Sequence, residues 1–172
     1  MIEVYPDVFV GNQGDCSLQS AKPAGTWATV HAYPPCHQQA LEDQTPSAPQ
    51  GREHSLVRRD QHLYVNLIDA DHPAYVHKET QIDPVLAFME EMHAQGVSLL
   101  VHCEQGWSRS PSLVLLYLAT RLGVLPTASL GAAEAQFKTL YPGYAPSYGI
   151  WAHLHQHWEQ YCADGQASRR RM

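Results

Sequence analysis

Apolar positions along the chain fall into two alternating rhythms, short β-rich runs and stretches of helical period. Residues 2–11 alternate loosely at Val4, Val8 and Val10 around Tyr5-Pro6 and stop at Gly11-Asn12, which predicts one or two short strands and a turn. Residues 18–21 read as a short helix, and residues 27–32 (W-A-T-V-H-A) as a buried strand. After Pro34-Pro35 the text becomes rich in Gln, His, Ser and Pro. Residues 34–59 therefore read as a long surface excursion with at most one helical turn near 38–42. Residues 62–68 form the next strand and run into the loop Asp69-Ala70-Asp71-His72-Pro73. Ile82, Val85, Leu86, Met89 and Met92 recur at helical spacing, so a helix runs from Thr80 or Asp83 to Gln95, with Asp83-Pro84 as cap and first position and Gly96 as its end. Residues 97–101 are the central strand and residues 111–122 the helix behind it. Residues 127–140 and 147–161 are the last two helices, joined by a turn through Pro142-Gly143 and Pro146, and residues 166–172 read as a disordered tail.

Strands alternating with helices predict an α/β fold, a mostly parallel central sheet with helices on both faces, whose site lies at the C-terminal ends of the strands. The 172 residues suit one domain, expected over residues 1–165 with the 34–59 insertion on its surface. Hydrophobic content of 44% and charged content of 16% belong to an ordinary globule, and the net charge of −6 argues against a nucleic-acid partner. The first residues lack a basic, then apolar, leader, and no apolar run is long enough for a membrane span, so no membrane association is expected. Cys16, Cys36, Cys103 and Cys162 show no metal-type spacing, and the cytoplasm is the expected compartment for a reactive thiol.

The candidate chemistry sits where the central strand ends. Residues 99–112 read L-L-V-H-C-E-Q-G-W-S-R-S-P-S, a strand, a tight loop and a helix start. A loop entering a helix presents unpaired N–H groups and the positive end of the helix dipole, which together hold tetrahedral oxyanions. The same field favours thiolate over thiol. Arg109 adds a planar fork able to grip two phosphate oxygens. One short loop thus supplies a nucleophile in Cys103, a cradle in the backbone of Glu104, Gln105, Gly106, Trp107, Ser108 and Arg109, and a clamp. Gly106 permits close approach or a positive φ.

Cys103 followed by Gly106, Arg109 and a hydroxyl at Ser110 resembles the cysteine-dependent protein tyrosine phosphatases, and the Arg-Ser-Pro-Ser run resembles their dual-specificity branch. The opening Val8-Phe9-Val10-Gly11-Asn12 is similar as well, whereas the 34–59 excursion exceeds what that branch carries there. The resemblance implies hydrolysis of phosphotyrosine, and of phosphoserine or phosphothreonine, on proteins through a cysteinyl-phosphate, with no cofactor or metal. His102 would shape the loop from behind. Ser110 would donate to the sulfur as it departs, a role compatible with capping the helix.

A phosphate ester expels a poor leaving group unless an acid protonates it. The resemblance places that acid about thirty residues before the cysteine. Asp71, 32 residues upstream, fits the spacing counted from Phe88, while Asp69, four residues before Pro73, resembles the acid loop of other branches of the superfamily. Asp71 is preferred and Asp69 is the alternate.

Within the loop, Trp107 either forms the lip of the pocket or turns into the core. Glu104 and Trp107 stand where phosphoinositide phosphatases of this superfamily carry basic residues, which turns the expectation away from highly phosphorylated lipids. His153 and His157 share a helix face without further ligands at obvious spacing and read as surface residues. Two other readings remain open: a catalytically weak phospho-binding module and a rhodanese-like sulfur transferase. The oligomeric state is not encoded in these patterns.

Overall fold

The computed structural model describes residues 1–17, 26–42 and 54–170. Six strands form one sheet: β1 (Ile2–Tyr5), β2 (Val8–Gly11), β3 (Trp27–His31), β4 (Leu56–Arg59), β5 (His62–Val65) and β6 (Ser98–His102). Their spatial order is β1-β2-β6-β3-β5-β4. The four inner strands run parallel, and β1 and β4 close the edges antiparallel. The expected mostly parallel α/β sheet is what forms. β6 lies inside this sheet with Leu99, Leu100 and Val101 wholly buried, as a strand covered on both faces requires. Each such side chain contributes about 1.5–3 kcal/mol by leaving water.

The helices are α1 (Gln13–Ser17), α2 (Pro34–Glu42), α3 (Asp83–Ala94), α4 (Arg109–Leu116), α5 (Leu130–Leu140) and α6 (Tyr148–Arg169). α3 buries Val85, Leu86, Phe88, Met89 and Met92, the stripe its periodicity predicts, and Gly96 closes the turn behind it at φ 72°. Asp83 does not cap it. A wider turn over Lys78–Ile82 leads into the helix, and the Asp83 carboxylate instead takes the buried Lys78 ammonium at 2.8 Å. α4 continues into a second wide turn, Tyr117–Leu122.

Three sequence expectations change. The excursion at 34–59 carries real structure: α2 spans nine residues with Pro34 and Pro35 in its first turn, where a missing N–H costs nothing, and residues 56–59 are the edge strand β4. The region between them, 43–53, lies outside the described residues, as does the helix expected at 18–21. At the other end the tail expected from 166 is helical through Arg169. Tertiary contacts hold it there. Asp164 accepts from Lys78 at 2.7 Å, the Ser168 hydroxyl donates to Glu90 at 2.9 Å, and the Arg169 guanidinium donates to the Thr120 carbonyl. Gly165 lies so close to Thr120 that a Cβ there would meet its carbonyl oxygen at 2.1 Å. Finally, His153 is buried, with Nε2 2.8 Å from the Tyr161 hydroxyl, rather than exposed on the helix surface.

Candidate active site

The loop between β6 and α4 folds around the Cys103 sulfur. The Gly106 N–H donates to Sγ at 3.3 Å, and the Ser110 hydroxyl lies 3.2 Å from both Sγ and the Gly11 carbonyl. Gly106 adopts φ 80°, and a Cβ there would crowd the Gly11 carbonyl at 3.1 Å, so the glycine answers both a conformational and a steric demand. The Tyr141 hydroxyl donates to the Gly106 carbonyl at 2.9 Å and pins the loop from α5's end. Burial, followed by the charge of Cys103, pushes the Tyr141 phenol up, which keeps it a donor. The Glu104 carbonyl accepts from Gln13, and the Trp107 carbonyl from Ala145. The Glu104, Gly106 and Trp107 carbonyls are thus each tied to a neighbouring segment, while the Gly106 N–H meets the sulfur.

Arg109 is buried at the first turn of α4. One terminal nitrogen donates to the Leu67 carbonyl at 3.2 Å, and its Nε lies 3.5 Å from Asp69 and its Nη2 3.6 Å from Glu104. Nε makes no hydrogen bond, although it is buried. These contacts to Leu67, Asp69 and Glu104 fix the plane of a guanidinium whose fork suits an oxyanion. Asp69 also accepts from the Ser108 hydroxyl at 2.7 Å, and Ser108 in turn accepts the N–H of Ser147 at 2.9 Å. Ser108 thus links the Asp69 loop, the Cys103 loop and the start of α6, and its side chain makes no capping bond to α4.

These residues enclose a cavity of about 350 Å³ lined by Asp69, Cys103, Trp107, Arg109, Ala145 and Ser147, with Glu104, Gln105 and Ser108 completing it. Trp107 is 58% exposed and stands at the lip, not in the core. Asp71 is exposed and lies outside the lining, on the loop whose Ala70 carbonyl accepts the Gly149 N–H at 3.1 Å. That loop rests directly on α6: a Cβ at Gly149 would meet the Ala70 oxygen at 2.2 Å. Spacing alone did not reveal Gly149, Ser108's bridging role or Tyr141 as parts of the site.

Behind the loop, His102 turns away from Cys103. Its Nε2 lies 2.8 Å from His31 Nδ1, and its Nδ1–H donates to the Cys103 carbonyl at 3.3 Å. Cys16 Sγ is 3.5 Å from the same His31 nitrogen, and His31 Nε2 is 3.0 Å from His62 Nδ1. Burial first, then the repulsion of neighbouring imidazoles, takes the His31 pKa down to about 4 and keeps the ring neutral. The ligand atoms of Cys16, His31, Cys36 and His102 all lie within 4.8 Å of one another. Spacing along the chain does not reveal this group, because its members sit on α1, β3, α2 and β6.

No family model matches the chain. Among curated proteins it is similar to dual specificity phosphatase 28 of Mus musculus, 37% identical over 81 residues that cover 47% of each chain. The match thus spans about half the length of that relative. Among solved structures it is similar to human DUSP28, with a TM-score of 0.63, 23% identity and coverage of 96% of this chain and 94% of that one. It is also similar to a mouse dual specificity phosphatase in complex with zinc tungstate, with a TM-score of 0.61, 27% identity and coverage of 97% and 89%. Over about half of its length the chain is thus similar in sequence to a dual specificity phosphatase, and over nearly all of it the six-stranded sheet and its helices share the fold of such proteins.

Proposed function

We propose that the chain hydrolyses phosphomonoesters, phosphotyrosine on proteins foremost and phosphoserine or phosphothreonine with it, through a cysteinyl-phosphate on Cys103. The observation that carries this reading is the sulfur itself, which receives an N–H from Gly106 and lies beside the Ser110 hydroxyl in a cavity that the buried Arg109 also lines. A tetrahedral dianion placed over Cys103 would meet the N–H groups of the loop and the guanidinium together. The mouse relative bound to tungstate, itself a tetrahedral oxyanion, is consistent with that.

In the first step the Cys103 sulfur attacks phosphorus, the S–P bond forms and the P–O bond to the leaving group breaks, while Asp71 gives that oxygen its proton. In the second, water attacks phosphorus, its proton passes to Asp71, and the S–P bond breaks with Ser110 donating to the departing sulfur. Asp71 suits the acid role because it is exposed, two residues along the loop that brings Asp69 to the cavity lining. Asp69 is already engaged by Ser108 and Arg109 and acts as a positioning residue for both. Trp107 at the lip offers a face for a phenol ring.

The test is hydrolysis of an aryl phosphate near pH 6 by the full chain. The proposal expects turnover that vanadate inhibits and Cys103→Ser abolishes. Binding of a phosphopeptide without turnover would instead make the chain a phospho-binding module, and thiosulfate-to-cyanide transfer indifferent to Asp71→Asn would make it a sulfur transferase.

A further inference from the structure

A second sulfur-containing site lies one residue behind the nucleophile. His31 and His102 are Cα partners in the parallel pairing of β3 with β6, so the register itself puts their imidazoles on one side of the sheet. Their rings meet edge to face with centroids 4.8 Å apart. Cys16 comes to them from α1 and Cys36 from the first turn of α2. All four ligand atoms lie within 4.8 Å of one another, and His31 and His102 are buried while Cys16 and Cys36 are partly so.

We propose that Cys16, His31, Cys36 and His102 form a tetrahedral Cys₂His₂ site for Zn²⁺. Two thiolates and two neutral imidazoles match the donor set and the number that structural zinc takes, and the absence of any oxygen donor from the four selects against magnesium and calcium. Zinc bonds of about 2.3 Å to sulfur and 2.0–2.1 Å to nitrogen set tetrahedral edges of roughly 3.3–3.8 Å. The 3.5 Å from Cys16 Sγ to His31 Nδ1 already falls in that range, and the 2.8 Å between the two imidazole nitrogens opens by about half an ångström.

The outer ends of both rings are also prepared. His102 donates its Nδ1–H to the Cys103 carbonyl, which leaves the lone pair of Nε2 facing the cluster. His31 holds His62 with its outer nitrogen, which fixes the ring plane from behind. Such partners are what orient and polarise metal-bound imidazoles. On binding, the two thiol protons go to solvent, and the site is neutral with Zn²⁺, two thiolates and two imidazoles. The metal would tie α1 and α2 to the C-terminal ends of two central strands, directly beneath the Cys103 loop.

The experiment uses the full chain, purified with reductant and reconstituted with zinc alone, then freed of excess and measured for metal per chain. One equivalent is expected in the wild type, in Cys103→Ser and in Cys162→Ser, and less than about a tenth in Cys16→Ser and Cys36→Ser. Should those variants misfold, the wild type decides: replacement of zinc by cobalt gives intense tetrahedral d–d absorption with thiolate charge transfer, and chelation lowers the melting temperature reversibly. Wild-type protein that keeps less than about a tenth of an equivalent overturns the proposal. So does zinc that disappears with Cys103→Ser, or a Cys16–Cys36 disulfide found under reductant. None of these readouts depends on phosphatase turnover.

Discussion

His102 and Cys103 are neighbours in sequence, yet the chain treats the sulfur and nitrogen donors around them in opposite ways. On the Cys103 side one sulfur is met by an N–H and a hydroxyl, with a guanidinium across a cavity open to solvent. On the His102 side two sulfurs and two imidazole nitrogens crowd together with no cationic or amide donor described among them. The Cys16 and Cys36 sulfurs share a hydrogen bond that lowers the pKa of the first and raises that of the second. The first arrangement accumulates donors and suits an anion. The second gathers sulfur and nitrogen ligand atoms that, once their protons leave, suit a cation. What separates them is a single peptide unit, and it is the Cys103 carbonyl that His102 holds.

The sharpest way to break this contrast is to remove one sulfur. Cys103→Ser should lower aryl phosphate hydrolysis by about four orders of magnitude or more while metal content stays unchanged, and kinetics beside elemental analysis checks both. Arg109→Lys should cost roughly 10²–10³, since lysine cannot reproduce the fork. Next comes the acid. Asp71→Asn should depress hydrolysis of alkyl phosphates by roughly 10²–10⁴ and spare activated aryl phosphates, whereas Asp69→Asn should chiefly raise KM by freeing Arg109 and Ser108. If Asp69→Asn instead shows the leaving-group pattern, the two aspartates exchange roles.

Gly149→Ala sharpens the geometry of the acid loop. Its Cβ must displace the Ala70 carbonyl, so Asp71 moves with it, and kcat should fall by roughly 10- to 100-fold with little change at the metal cluster. Unchanged kcat would show that the loop's seat on α6 does not matter. The smallest effect concerns acid, which touches both sites and must be separated from the core. Burial first, then His157, brings the His153 pKa down to about 4. The unfolded chain therefore binds the extra proton, and stability falls as pH drops from about 6.5 to about 4, by on the order of 3 kcal/mol. In His153→Gln that part of the pH dependence should flatten in denaturant titrations, though losing the Tyr161 contact lowers stability at pH 7.

The Cys103 loop was legible because its information is local. Strand, cysteine, glycine, arginine and helix start fall within fourteen residues, and each residue type has a physical reason to be there. The sheet followed from the same rhythm of apolar runs. Other features depend on where distant segments meet. His31 stands beside His102 only through strand register, and Cys16 and Cys36 join them from separate helices. α2 read as at most one turn near 38–42 because it is polar and buries little beyond His37 and Ala40. The end of α6 read as a tail because its polar text becomes helix only when Gly165 packs on Thr120 and Ser168 and Arg169 find Glu90 and the Thr120 carbonyl. Spacing from Cys103 could count residues to Asp71 and Asp69 but could not show that Asp69 lines the cavity beside Arg109 or that their loop rests on Gly149, contacts no spacing rule contains.

The central claim is that Cys103 takes up the phosphoryl group. It is tested most directly by mixing the full chain with an aryl phosphate, quenching in acid and mapping the modified peptide by mass spectrometry. The account predicts one phosphoryl group on Cys103, none in Cys103→Ser, and a larger trapped fraction in Asp71→Asn, where no base remains to activate water. Rapid turnover with no phosphoryl on Cys103, or a label carried by another residue, would contradict it.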